Sequence, residues 1–336
     1  MSGILIVRLK GLGDIVHLIP ALRMLQQNYP QHPLALLCQK PFGNIIPADL
    51  NVKVFELAPH AGVFETFKLL KAIRRQKFDY LFDLFANPRT AIISLLSGVK
   101  KRYGFDYRFR RNAYTETYSP PDPNLHLMKL FAEFFAEFGF RGTVKHPSLK
   151  PEPETFAKVD QLLAINGDAR PLLGINPHTT YPSKAWPEEY FVEIIRLWFE
   201  KTGKKVLVSW GPGEEEAAQR IVEAAGKQKA FLQPKVNIAE FAAVLARLDL
   251  FLTSDTGPMN IAWAVKTPTI ALFGPTTRKA VAPDGPEDLV LFNPEIECLQ
   301  CHLEQCSHRS CMRSMKPEWV FAEICKKYKD MLQVTE

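Results

Sequence analysis

No uncharged apolar run in the 336 residues approaches the ~20 that a membrane-spanning helix needs. The N-terminus also lacks a secretory h-region of about 7–15 apolar residues, because Ile4–Val7 meets Arg8 at once. There is no low-complexity tract and no short repeat. With 46% hydrophobic and 23% charged residues, this excludes collagen, coiled coil and wholesale disorder. A cytoplasmic globular chain is expected, with two domains at roughly 150 residues each. Neither sign of charge dominates: 42 Lys and Arg stand against 36 acids, a net charge of +6. That excess is weak for a dedicated nucleic-acid binder. It suits contact with phosphates or an anionic membrane face. Cysteine is scarce at six residues, yet four of them fall between Cys298 and Cys311.

Short β-branched runs alternate with amphipathic stretches. Ile4–Arg8, 34–37, 52–57 and 80–84 read as buried strands, and Phe67–Arg75 and Leu125–Phe140 as helices. Ile15, Leu18, Ile19, Leu22 and Leu25 recur at helical spacing, with Pro20 expected to kink that helix or delay its start. Residues 146–153 carry three prolines and read as a linker, and 154–166 as a helix of the connection. The alternation then restarts with strands at 172–176, 205–210, 250–253 and 269–273 and helices between them. Two parallel α/β arrays facing a cleft are the expected architecture, with ligands outside the carboxyl ends of the strands.

The polar turns after those strands carry the chemistry. Gly11-Leu12-Gly13-Asp14 leaves a strand and enters a helix. It is not the dinucleotide fingerprint, whose third glycine would fall at Val16, and this disfavours a nicotinamide dehydrogenase. Asp14 is either an N-cap or a proton acceptor. Ser254-Asp255-Thr256-Gly257 precedes Pro258, a good first-turn residue, and is either an ordinary cap or an anion site built from the N–H groups of Thr256 and Gly257. The loop 176–187 holds Lys184, either a solvated charge or a phosphate ligand. Gly274, Thr276 and Thr277 follow another strand. The 211–214 turn with Glu214 precedes a helix that favours acids in its first turn. Cys298-x2-Cys301-x4-Cys306-x4-Cys311 offers four thiolates for a structural Zn or Fe, or a set of reduced thiols. Residues 100–111 alternate basic and aromatic side chains, as a grip for an anionic acceptor or lipid headgroups, or as a solvated loop.

The stretch Gly11–Leu22 resembles the opening of the ADP-heptose:lipopolysaccharide heptosyltransferases of glycosyltransferase family 9. So do Phe78–Asp83, Arg102–Asp106, Ser254–Met259, Pro268–Thr276 and the cysteine run ending at Met312, in order along the chain. The resemblance implies a GT-B fold: an acceptor-binding Rossmann-like domain over 1–165, and a nucleotide-sugar-binding one over 166–336 whose final helix is free to pack back on the first. It implies an inverting transfer of heptose from ADP-heptose to a lipopolysaccharide core acceptor (Kdo or heptose), with no cofactor for the chemistry and with peripheral contact at the inner membrane. The catalytic residues implied are Asp14 as base and Lys184. The expected donor residues are Thr180, Lys184, Glu214, Asp255, Thr256, Gly257, Asn260, Gly274 and Thr276, of which Lys184, Asp255, Thr256 and Gly257 fall on the family's motifs. The acceptor residues are Lys10, Gly11, Gly13, Arg102, Arg108 and Arg111. Asn260 stands where many relatives have histidine, which keeps open another nucleotide sugar or a non-lipid acceptor. A nucleic-acid-binding module using the cysteines is the rival of a different class, and no nucleic acid is expected as a partner.

Overall fold

The computed structural model describes residues 3–107, 109–122, 124–163, 170 and 172–332. The chain divides into two compact units, Met1–Ser148 and Leu149–Glu336. The first holds β1 (Gly3–Arg8), α1 (Leu12–Asn28), β2 (Leu34–Gln39), β3 (Val52–Leu57), α2 (Val63–Gln76), β4 (Phe78–Asp83), α3 (Pro88–Leu96), β5 (Lys101–Phe105), β6 (Glu116–Tyr118) and α4 (Leu127–Glu137). Its strands form one sheet in the order β3-β2-β1-β4-β5-β6, with every described pairing parallel.

The second unit begins with α5 (Pro153–Leu163) and β7 (Leu173–Asn176), α6 (Glu188–Thr202), β8 (Val206–Val208), α7 (Glu215–Ala225) and β9 (Ala230–Leu232). It continues with α8 (Ile238–Leu245), β10 (Leu250–Ser254), α9 (Gly257–Ala264), β11 (Thr269–Leu272), α10 (Arg278–Val281), β12 (Leu289–Leu291), α11 (Ser310–Arg313) and α12 (Pro317–Lys327). Its parallel sheet runs β12-β11-β10-β7-β8-β9.

Both central strands are buried on both faces, and Ile4–Val7 of β1 and residues 250–252 of β10 are apolar for that reason. In the first unit, Leu69, Leu70 and Ile73 of α2 and Ile93 of α3 pack with Leu5, Val7 and Leu81 of the sheet. In the second, Trp186, Trp198 and Phe191 are wholly buried around β7 and β8. No helix among the described residues is long and apolar enough to cross a membrane.

Three sequence expectations concern helices of the fold. Helix α1 starts at Leu12 and runs through Pro20 without a delayed start. Helix α5 joins the second unit, where Asp160 accepts a bidentate pair from Arg247 at 2.6 and 2.7 Å and Lys158 pairs with Glu240. The last helix, α12, contributes Val320 and Ile324 to the core of the second unit.

Candidate active site

Each sheet reverses its strand order once, and such a reversal opens a crevice at the carboxyl ends of two neighbouring strands. In the first unit the reversal lies between β1 and β4, and in the second between β7 and β10. The turns after these four strands hold Asp14, the Leu84–Phe85 turn, Lys184 and Asp255.

At the first reversal, Gly11 is the N-cap of α1, with φ at +88°. A Cβ there would stand 2.1 Å from Asp14 Oδ2, so only glycine admits the carboxylate at this place. Asp14 lies in the first turn of α1 but does not cap it; no side chain does. Its carboxylate pairs instead with Arg8 at the end of β1. Arg8 also donates to the carbonyl of Leu84 and lies 5.0 Å from the Phe85 ring centroid and 5.7 Å from that of Phe131. The guanidinium is thereby fixed from three sides, and it fixes the carboxylate in turn. Asp83, the last residue of β4, is wholly buried. It accepts hydrogen bonds from Ala86 N at 2.8 Å, Phe85 N at 3.1 Å and the Tyr114 hydroxyl at 2.8 Å. Burial raises its pKa, against the pull of those hydrogen bonds. Gly104 makes room for the Tyr114 ring, which a Cβ would meet at 2.5 Å.

At the second reversal, Lys184 Nζ stands 2.6 Å from Asp255 Oδ2, and both side chains are largely buried. Neither Asp255 nor Thr256 caps α9 with its side chain. The first-turn N–H groups of α9 are therefore left at the edge of the sheet beside an ammonium, an arrangement that suits an anion. Around it, Ser254 Oγ, Asn260 Oδ1 and Thr276 Oγ1 are buried with no hydrogen-bond partner among the described residues. Buried polar atoms are rarely left unpaired, so these point to a polar ligand. Asn260 turns its amide nitrogen back to Thr256 O at 3.0 Å. Glu214 accepts from Gly211 N at 2.8 Å, which closes the turn after β8. His178 has its Nε2 buried without a described partner, and burial lowers its pKa below the ordinary imidazole value, against the raising effect of Glu214 and Glu188. Gln233, after β9, has Oε1 in the same unpartnered condition. Ser254 and His178 lie within motifs read from the sequence but were given no role there, and Gln233 was not read at all. Their only signal there is a polar residue directly after or at the end of a buried strand.

A protein-family model described as glycosyltransferase family 9 (heptosyltransferase) matches residues 66–312. The chain belongs to glycosyltransferase family 9. It is 26% identical over 328 residues to a lipooligosaccharide heptosyltransferase 2 of Campylobacter jejuni, covering 94% of this chain and 96% of that one. A solved ADP-heptose lps heptosyltransferase II of E. coli superposes with TM-score 0.79 at 18% identity over 99% of both chains. The E. coli heptosyltransferase WaaC with ADP-2-deoxy-2-fluoro heptose gives 0.73 at 23% identity, over 97% of this chain and 99% of that one. The protein is thus a glycosyltransferase with two Rossmann-like units, the GT-B class.

The other expected site residues are placed variously. Arg102 lies on β5, not in a loop: its Nε donates to Ala113 O at 2.8 Å and its Nη1 to Val99 O at 2.7 Å, so it clamps the chain around β5. Gly274 is buried, and a Cβ there would meet Cys311 Sγ and Met312 Sδ at 2.7 Å; it permits close packing. Lys10, Thr180 and Arg111 are exposed, Gly13 is buried in the first turn of α1, and Arg108 lies outside the described residues.

The cysteines also depart from expectation. Cys311 is buried, Cys306 half-buried, and Cys298 and Cys301 exposed. Among the described residues no group of three or more His, Cys, Asp or Glu side chains is placed to hold a metal ion, so the expected four-thiolate set is not assembled. The loop that carries them braces the second reversal. Gln300 N donates to Gly274 O at 3.1 Å and His302 N to Pro275 O at 2.8 Å, while His302 Nε2 and Thr277 Oγ1 are 3.0 Å apart. Ser183, next to Lys184, donates its N–H to Glu304 O at 3.2 Å and its hydroxyl to Leu303 O.

Proposed function

We propose that the protein transfers heptose from ADP-heptose to a lipopolysaccharide core acceptor with inversion at the anomeric carbon, on the cytoplasmic face of the membrane. The observation that carries the donor half is the arrangement at β7 and β10: Lys184, the uncapped N-terminus of α9, and the unpartnered buried atoms of Ser254, Asn260 and Thr276. A diphosphate matches it in charge and in hydrogen-bonding capacity. The names of the relatives, which are heptosyltransferases throughout the most similar set, support the sugar and the acceptor.

In this reading the acceptor hydroxyl gives its proton to Asp14 as its oxygen bonds to the anomeric carbon. The bond from that carbon to the diphosphate oxygen breaks, and the electron pair leaves with ADP. Lys184 and the N–H groups of Thr256 and Gly257 stabilise the growing charge. Arg8 holds the carboxylate of Asp14 in place. Glu214 and Gln233, in the turns after β8 and β9, would read the nucleoside.

Thermal-shift measurement against ADP, UDP, GDP and NAD tests the donor class. ADP is expected to raise the melting temperature by linkage, about 2.7 kcal/mol at a hundredfold excess over Kd. A shift with NAD and none with ADP would overturn the reading.

A further inference from the structure

The start of α2 and the outward face of α3 expose apolar side chains where a solvent-facing helix pair would be polar. Val63, Phe64 and Phe67 are 88%, 81% and 62% exposed. On α3, Ile92, Leu95 and Leu96 form an exposed stripe at helical spacing. Single exposed apolar residues need no explanation, but a run of six large ones on adjacent helices does.

The helices lie side by side and parallel. Arg89, at the start of α3, donates to Ala61 O at 2.7 Å, just before α2, and Arg74 Nε, near the end of α2, donates to Leu96 O at 2.9 Å. Between them runs a groove of about 580 Å³, whose apolar walls come from Phe67, Leu70 and Leu96 and whose cations come from Lys71, Arg74 and Arg75. Lys68 adds a fourth exposed cation to α2. The one acid of α2, Glu65, is turned to Gly62 N at 3.0 Å, and α3 has no acid.

We propose that this α2–α3 face docks the enzyme on an anionic lipid bilayer. The phenylalanines and the α3 stripe would enter the headgroup layer, and an anionic phospholipid headgroup would sit on Lys71, Arg74 and Arg75 with its acyl chain along the groove. The pairing of apolar area with charge of one sign is what an interfacial surface requires. A protein partner would need a complementary acidic surface, whereas one phospholipid supplies both an anionic head for the three cations and an acyl chain for the apolar walls. The N-terminal end of α2 follows the carboxyl end of β3, so the apolar tip lies on the strand edge of the first sheet that also carries Asp14. The inference extends the proposed function, because a lipid-borne acceptor gives the docked orientation its purpose.

Co-sedimentation with phosphatidylcholine vesicles, alone or with phosphatidylglycerol at about one part in three, is the test. Binding is expected only to the mixed vesicles, weakening as salt is raised. Lys71→Glu with Arg75→Glu should lower it on the order of 25-fold, since each cation near an anionic surface is worth about fivefold. Phe64→Ser with Phe67→Ser should abolish it at unchanged melting temperature, and Lys227→Glu, an exposed lysine of the second unit, should leave it unchanged. Wild-type binding that neither double variant alters would overturn the proposal. So would absent binding, or a self-association that Phe64→Ser with Phe67→Ser dissolves. ADP titration of the same preparations separates the readings: ADP binding without vesicle binding removes only the docking surface, and vesicle binding without ADP binding removes only the donor site.

Discussion

Lys184 Nζ and Asp255 Oδ2, 2.6 Å apart, tie the loop after β7 to the turn after β10 across the reversal of the second sheet. The aspartate holds the ammonium beside the α9 N-terminus before any ligand arrives. Lys184→Ala is expected to weaken ADP binding by about 1.5–3 kcal/mol, the range for hydrogen bonds to a charged group. It should lower kcat as well, because the lysine meets more charge as ADP departs. Gly257→Val should also weaken ADP binding by crowding the first turn of α9. Calorimetric titration of ADP into both variants checks this. Unchanged affinity in both would move the nucleotide elsewhere.

Asp14 gives a complementary expectation. Asp14→Asn should lower turnover about 10²–10⁴-fold while ADP affinity stays within the error of titration. Gly11→Ala should have a similar direction of effect on turnover, since the added Cβ occupies the place of the carboxylate. Steady-state kinetics with donor titration decides, and near-normal turnover of folded Asp14→Asn would remove the base assignment.

Gly104, Tyr114 and Asp83 form a packed set behind the first reversal. Gly104→Ala drives a methyl group into the Tyr114 ring and should cost about 1–3 kcal/mol of stability. Tyr114→Phe leaves the buried Asp83 one donor short and should cost a similar ~1–3 kcal/mol. Denaturant unfolding of the two variants measures both.

His178 makes stability depend on mild acid. Burial lowers its folded pKa, so the unfolded chain binds the proton more readily than the folded protein. Stability is then lost as pH falls from the ordinary imidazole value of about 6.5 toward the lower folded value, and is unaffected above that window. Melting temperatures from about pH 7.5 to about pH 5 should fall more steeply for wild type than for His178→Gln. Equal slopes would contradict this.

The fold was legible because parallel strands covered on both sides are apolar along most of their length, and β1, β2 and the first three residues of β10 show this in sequence. Asp14, Lys184 and Asp255 were legible for a related reason: polar residues directly after such strands have to lie on the carboxyl edge. Residues 100–111 were only partly legible: Lys101–Phe105 form β5, with Tyr103, Gly104 and Phe105 buried, while Tyr107 and Phe109 beyond it are exposed, and the shared basic and aromatic composition hides that change. The cysteine spacing promised convergence, but the loop turns on left-handed residues at Gln300, His302 and Arg309 and spends its backbone hydrogen bonds on Gly274 and Pro275. Spacing cannot show such turns. Nor can it show that Asn260 would face inward, with one amide atom bonded to Thr256 and the other unpartnered among the described residues.

The central claim is a transfer reaction, and mass spectrometry of the acceptor tests it most directly. Wild-type protein incubated with ADP-heptose and a heptose-deficient lipopolysaccharide core should add the mass of one heptose, and folded Asp14→Asn should add it only at a trace rate. An unmodified acceptor with wild-type protein that still binds ADP would contradict the account.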